Sequence, residues 1–154
     1  MPFVKICELS TINGPLLGID PGTKTLGIAI SDRNNLISTP IKTIKRKRIT
    51  LDLDEVFNIY HNRNCQGIVI GHPINMDGTS GKRAQSVRAL ARNIINHEDI
   101  PLILWDERMS TQAVERDLIS ELDMSRAKRS EIIDAHAAQF ILQGALDAIQ
   151  NIRH

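Results

Sequence analysis

Aromatic side chains are the scarcest class in this 154-residue chain, with one Trp, one Tyr and three Phe. That leaves Ile, Leu, Val and Ala to build the core, and it argues against the aromatic platforms on which single nucleic-acid strands stack. Cysteine is scarcer still. Cys7 and Cys65 are the only two, too few for a disulfide framework or a four-ligand zinc site, so reduced thiols in the cytoplasm are expected. No apolar run approaches the ~20 residues that span a bilayer, which excludes a membrane role of that kind. The first fourteen residues lack the basic and then apolar segments of a secretory signal. Charge is nearly balanced: 19 Lys and Arg against 18 Asp and Glu, a formal net of +1. The sum neither requires nor excludes a polyanionic partner, so local clustering has to decide. There is no internal repeat and no low-complexity block.

What is present reads as one soluble domain over residues 1–154, with residues 1–14 as an N-terminal extension. Apolar content is 42% and charged content 24%, ordinary for a globular protein of this size. Pro15–Asp20 and Thr25–Ser31 read as buried strands punctuated by Pro21-Gly22, an antiparallel hairpin. Leu36–Ile44 reads as a third strand, placed at a sheet edge by Pro40. Thr50–Asn64 reads as a helix with Leu51, Leu53, Val56, Phe57 and Tyr60 inward. Gly67–Gly71 is a short, fully apolar strand of the parallel type. A polar, glycine-rich loop follows, then a helix from Gly81 to His97 with Ala84, Val87, Leu90, Ala91, Ile94 and Ile95 on one face. Pro101–Trp105 is another buried strand. A helix from Ser110 or Thr111 to Leu122, a linker at Asp123–Lys128 and a last helix from Ser130 to Ile149 complete the order, with Ile132, Ile133, Ala137, Phe140, Ile141 and Leu146 inward. This β-β-β-α-β-α-β-α-α order predicts an α/β fold: a mixed sheet with helices on both faces and the first strand central.

Three acids stand where the pattern has little local use for them. Asp20 ends the first strand, at the carboxyl edge where α/β sheets gather their sites. Glu107 follows the buried run Pro101–Trp105. Asp134 interrupts the apolar stretch of the last helix, beside Ala135, Ala137 and Ala138, small residues that allow close approach to the sheet. Local readings exist for each: an Asx turn before Pro21-Gly22, capping by Asp106 and Glu107 or pairing with Arg108, a helix-dipole contact for Asp134. Three acids converging from separate buried elements are harder to explain locally. Two carboxylates ~4 Å apart repel by about 4 kcal/mol at an effective dielectric of about 20, so the cluster calls for protons or a cation. Oxygen-only donors favour Mg²⁺ or Mn²⁺, and paired divalent ions suit attack of water on a phosphodiester.

The segments GIDPGTKTLGIAISD, GIVIGHPINMDGTSG, WDERMSTQAVERDL and IIDAHAAQFILQGALD occur in the order found in the YqgF/RuvX family, and the chain resembles that family from Leu16 to Leu146. The family comprises bacterial ribonuclease H-like proteins described as Holliday junction resolvases and pre-16S rRNA nucleases. The resemblance implies a five-stranded sheet in the order 3-2-1-4-5. It implies that Asp20, Glu107 and Asp134 form the catalytic, metal-binding set, and that the activity is endonucleolytic cleavage of nucleic acid in 5′-end maturation of small-subunit ribosomal RNA. Two positions depart from the family pattern: His72 stands where an aliphatic residue is usual, and the segment before Leu16 is longer.

Lys42, Lys45, Arg46, Lys47 and Arg48 form a dense basic run after the edge strand, read either as a solvated loop or as a set of phosphate contacts. Lys82, Arg83, Arg88 and Arg92 extend it if they share a helix face. Lys24, beside Asp20, reads either as a phosphate ligand or as a charge that balances the acid cluster. Arg108 orients Glu107 or contacts substrate, and Asn75 lies in a loop suited to covering a bound strand or to a tight turn. The leading expectation is a metal-dependent endonuclease acting on structured RNA, with branched DNA as the alternative substrate, ribosomal precursor particles as partners, and a monomer or homodimer as the working form. A non-catalytic ribosome-assembly factor is the second reading. A nucleotide-dependent phosphotransferase is a distant third, because such enzymes enclose ATP between two domains of this type.

Overall fold

The computed structural model describes residues 4–72, 82–106 and 126–153. Strands β1 (Leu16–Pro21) and β2 (Thr25–Ser31) form the expected antiparallel hairpin, closed by the Gly22 N–H donating to the Thr25 carbonyl at 2.8 Å. Strand β3 (Ser38–Lys45) pairs antiparallel with β2 and lies at the edge. Its register slips beside Pro40. Ile28 faces Lys42 while Ala29 faces Pro40, so Ile41 is the extra residue of a bulge at the residue that cannot donate to the ladder. Strands β4 (Gly67–His72) and β5 (Leu102–Asp106) add in parallel on the other side of β1. The sheet order is β3-β2-β1-β4-β5, with β1 central, as the sequence predicts.

The third strand begins at Ser38, not Leu36. Leu36 and Ile37 are exposed, and the Asp32 carboxylate accepts from both of their N–H groups at 2.7 and 2.9 Å. That local side-chain bonding competes with the ladder and keeps both residues in the loop.

Helices cover both faces. Helix α1 (Ile6–Leu9) and helix α4 (Arg126–Arg153) lie on one side, α2 (Ile49–Asn62) and α3 (Lys82–His97) on the other. Strand alternation sorts the sheet accordingly. Leu17, Ile19, Ile68, Ile70 and Leu102 meet Val56, Phe57, Tyr60, Val87, Leu90 and Ile94. Leu16, Val69 and Ile103 meet Ala138, Ile141, Leu142 and Leu146.

Three expectations about the helices are corrected. Leu51 is exposed, and Asp52 is buried at 3% exposure. The inward stripe runs through Leu53, Val56, Phe57 and Tyr60, and Asp52 flanks it one turn before Val56. Phe140 is also exposed, because Ala137, Ala138, Ile141 and Leu142 already fill the sheet-facing stripe of α4. Finally, α4 begins at Arg126 and runs to Arg153. Arg126-Ala127-Lys128-Arg129 contains no Gly or Pro to stop the helix, so residues 126–128 of the expected linker belong to it. The helix expected before that linker lies outside the described residues.

The N-terminal segment from Val4 onward is part of the fold. The Val4 N–H donates to the Leu102 carbonyl at 3.0 Å, Leu9 is fully buried with Leu16 and Ile141, and the Arg153 guanidinium donates to the Ser10 and Ile12 carbonyls.

Candidate active site and nucleic-acid interface

The small residues of α4 meet the centre of the sheet at Gly18. An ideal Cβ there would stand 2.8 Å from the Leu142 Cβ and 3.2 Å from the Ala138 carbonyl oxygen. The helix runs antiparallel to β1. Its far end, at Gln150 and Arg153, bonds the Asn34 and Asn35 carbonyls, in the loop beyond the Ser31 hydroxyl that receives the Leu16 N–H. The start of α4 therefore lies toward the carboxyl end of β1. Asp20 is two residues past Gly18, on the same face and about 6.6 Å further along. Asp134 is one turn before Ala138, about 6 Å further along in the same direction. The backbone thus puts Asp20 and the turn of α4 that carries Asp134 toward the same end of the sheet. Asp20 is half-buried and has a polar partner.

Strand alternation separates Asp106 from this place. Asp106 shares the face of Leu102 and Leu104, toward α2 and α3, and His72 opposite it shares the face of Ile68 and Ile70. Trp105 takes the α4 side, against Gly144. Glu107, Arg108 and Asn75 lie outside the described residues. Among the described residues no group of three His, Cys, Asp or Glu could hold a metal ion.

His72 sits 3.3 Å through Nε2 from the Arg88 guanidinium. Arginine only donates, so this contact uses an Nε2 without a proton and places the imidazole proton on Nδ1. The departure from the family's aliphatic residue is thus taken up by a neighbour on α3. The sequence by itself points Arg88 only to a charge patch.

The basic run divides into two kinds of residue. Lys45, Lys47, Arg48 and, in the β1–β2 turn, Lys24 are exposed. Lys42 pairs at the surface with Glu55 at 3.6 Å. Arg46 is engaged inward. Its backbone N–H donates to the Lys24 carbonyl at 2.9 Å, its guanidinium donates to the Gly22 carbonyl at 2.8 Å, and its Nε lies 3.9 Å from the Asp52 carboxylate. Asp52 also accepts from the Lys47 N–H at 3.0 Å. The residue just after β3 and one of α2 therefore clamp the turn that directly follows Asp20. The sequence signal for this was an acid one turn into a helix led by basic residues, which folds back to cap its own approach.

The carboxyl end of β1 thus carries Asp20 on the α4 face, and the turn after it is tied through Arg46 to Asp52 of α2. A family profile described as RuvX, Holliday junction resolvase, matches residues 14–148. The chain belongs to the RuvX family. A RuvX-family relative from Bradyrhizobium diazoefficiens, named "Putative pre-16S rRNA nuclease", is 54% identical over 153 residues, covering 99% of this chain and 94% of its own. A relative of the same name from Rhodospirillum rubrum is 49% identical over 154 residues, covering 96% of each. Among solved structures, Thermus thermophilus RuvC in complex with Holliday junction substrate has a TM-score of 0.57 at 16% identity, over 90% of this chain and 96% of that one. The yeast mitochondrial Holliday junction resolvase Ydc2 has a TM-score of 0.54 at 12% identity, over 97% and 86%. At these identities the likeness is one of fold, and the RuvX-family fold is ribonuclease H-like. No described helix is long and apolar enough to cross a membrane.

Proposed function

We propose that this chain is a metal-dependent endonuclease that hydrolyses phosphodiester bonds of nucleic acid, acting in the cytoplasm in 5′-end maturation of pre-16S rRNA. The observation that carries the reading is the close contact of α4 with Gly18, which puts Asp20 and the start of α4, where Asp134 stands, toward the same end of the sheet. The resemblance in sequence supplies Glu107, the residue that follows β5 in the chain, as the third acid. The donors are carboxylate oxygens only, with Cys7 and Cys65 remote in α1 and before β4, which fits Mg²⁺ or Mn²⁺. When bound, paired divalent ions supply an activated water and stabilise the leaving oxygen.

The chain's own residues do the rest. Asp20, Asp134 and Glu107 hold the charge of the site. Lys24, Lys45, Lys47 and Arg48 attract and position phosphates, with Arg108 and Asn75 as further substrate contacts. Arg46 holds the turn after Asp20. The names of the relatives support RNA as substrate. The family description and the fold shared with RuvC and Ydc2 support a second reading, resolution of branched DNA.

Purified protein with Mg²⁺ or Mn²⁺ is expected to cut structured RNA. Asp20→Asn removes a stabilisation of several kcal/mol and so more than about a hundredfold in rate. Undiminished cleavage by that variant rejects the reading. Mapping precursor ends in cells separates it from a non-catalytic assembly factor. The factor would tolerate Asp20→Asn and fail only when Lys45, Lys47 and Arg48 are neutralised.

A further inference from the structure

Asp20 and Pro21 are successive residues, so they face opposite sides of the sheet. On the Pro21 side the end of β1 opens into a cleft of about 660 Å³ between the β1–β2 turn, the start of α2 and the first turns of α3. Its apolar lining is Pro21, Ile49, Val87 and Leu90, of which Ile49 is the exposed one. Val87 and Leu90 are buried at 2% and 3% exposure and Ile49 stands at 37%, so the floor is fixed by the core and one wall is open. Around it stand the exposed side chains of Thr23, Lys47 and Ser86. Arg46 and Asp52 also line the cleft but are tied to each other and to the backbone, so they shape it.

An apolar floor with a few polar groups converging on it is the ordinary chemistry of a ligand site, and the volume is within the usual range of ~300–1,000 Å³. The occupant that suits it has a flat apolar body and an anionic end. The hydroxyls of Thr23 and Ser86 can each donate or accept, so they take any base edge without selecting one. Lys47 supplies the positive charge.

We propose that the cleft seats one nucleotide of the bound RNA strand, its base on Ile49, Val87 and Leu90 and its phosphate at Lys47, while a neighbouring phosphodiester lies at Asp20. This rests on the nuclease reading and adds where the strand goes: over the end of β1, from the cationic side to the acidic side. The subsite replaces the aromatic stacking that the sequence cannot supply.

The test is a set of fluorescent RNA oligonucleotides, each with one abasic residue, moved one position at a time along the strand. Affinity is read by anisotropy in EDTA, where no cleavage occurs. The wild-type protein is expected to lose roughly tenfold at one position, the scale of burying one apolar surface, and to be insensitive elsewhere. Ser86→Trp fills the cleft from an exposed position, so it should weaken the unmodified strand by a similar factor and erase the positional dip. Ile49→Asp should do the same by charge, in a first helical turn that favours an acid, which keeps the test valid if the Trp variant folds poorly. A flat abasic profile in the wild type, or unchanged affinity in both variants at retained Tm, overturns the subsite. The two readings fail separately. Cleavage with a flat profile rejects only the cleft, and a positional dip without cleavage rejects only the nuclease.

Discussion

Ala138 lays its carbonyl over Gly18 so closely that a methyl group there would stand 3.2 Å from the oxygen and 2.8 Å from the Leu142 Cβ. Neither obstacle is the free end of a flexible side chain, so Gly18→Ala forces α4 away from β1. Overpacking of this kind costs about 1–3 kcal/mol, a fall of roughly 3–10 °C in Tm for a chain of this size. The same shift moves Asp134 relative to Asp20. Cleavage at a temperature where the variant is fully folded should therefore fall as well. A variant that loses Tm and keeps its rate would show that the contact serves stability alone.

The two thiols should behave differently. Burial pushes the Cys65 thiol up to about 12, against a lowering by the Arg63 charge. Burial likewise raises the Tyr60 phenol, with Cys65 and Glu98 adding to it. Unfolded cysteine ionises near ~8.5. Above that pH the unfolded chain releases a proton that the folded protein keeps, so stability falls by about 1.4 kcal/mol per pH unit up to the folded value. Tm measured from pH 8 to 10 should fall more steeply for wild type than for Cys65→Ala. Equal slopes would mean the thiol already ionises in the folded state. A thiol reagent at pH 8 should label exposed Cys7 at once and Cys65 only on unfolding.

The sheet was legible because β1, β2, β4 and β5 are short apolar runs closed by Gly, Pro or a charge, and because Pro40 in the more polar β3 can stand only at an edge or bulge. The acid at the end of β1 was legible for the same reason, as a residue the pattern did not need. Leu51 and Phe140 misled because hydrophobicity marks who could be inside; the stripes of α2 and α4 were already filled by better-placed neighbours. Asp52 was invisible as a buried group because its partners, Arg46 and the Lys47 N–H, meet it only once β3 and α2 are in place. The N-terminal segment carried no periodicity strong enough to foretell α1, which is anchored by Leu9 with Ile6 packed beside it and by the reach of Arg153 from the far end of the chain.

Acid should act on the β2–β3 loop. Partial burial opposes ionisation of the Asp32 carboxyl, but N–H donors from Ile37, Leu36 and Asn34 outweigh it and hold the group below the usual carboxylate range. A depressed folded pKa gives stability that is complete above the unfolded value near ~3.9 and is lost as pH falls through the folded value. The group is exposed, so solvent screening limits the effect to about 1 kcal/mol or less. Asp32→Ala should lower Tm by a few degrees at pH 7, on the order of 2–4 °C, and the gap to wild type should close toward pH 2. A gap that persists in acid would assign the loss to packing.

The clamp on the turn after Asp20 separates two roles that a basic run hides. Lys47 is exposed, whereas the guanidinium of Arg46 is committed to the Gly22 carbonyl and to buried Asp52. Each phosphate contact removed lowers the dependence of log affinity on log salt by about 0.7–0.9. Lys47→Met should therefore weaken RNA binding and flatten that slope by about one contact. Arg46→Met should leave the slope unchanged. Its cost appears elsewhere: the Gly22 carbonyl and Asp52 lose a partner, about 1–3 kcal/mol of stability, and the turn holding Asp20 loosens, so kcat should fall while KM changes little. Asp52→Ala removes the ion pair and the acceptor of the Lys47 N–H but leaves the Arg46–Gly22 bond, so it should lower stability with a smaller fall in kcat than Arg46→Met. If Arg46→Met flattens the salt slope as Lys47→Met does, its guanidinium leaves Gly22 for phosphate when RNA binds, and the clamp gives way to the substrate.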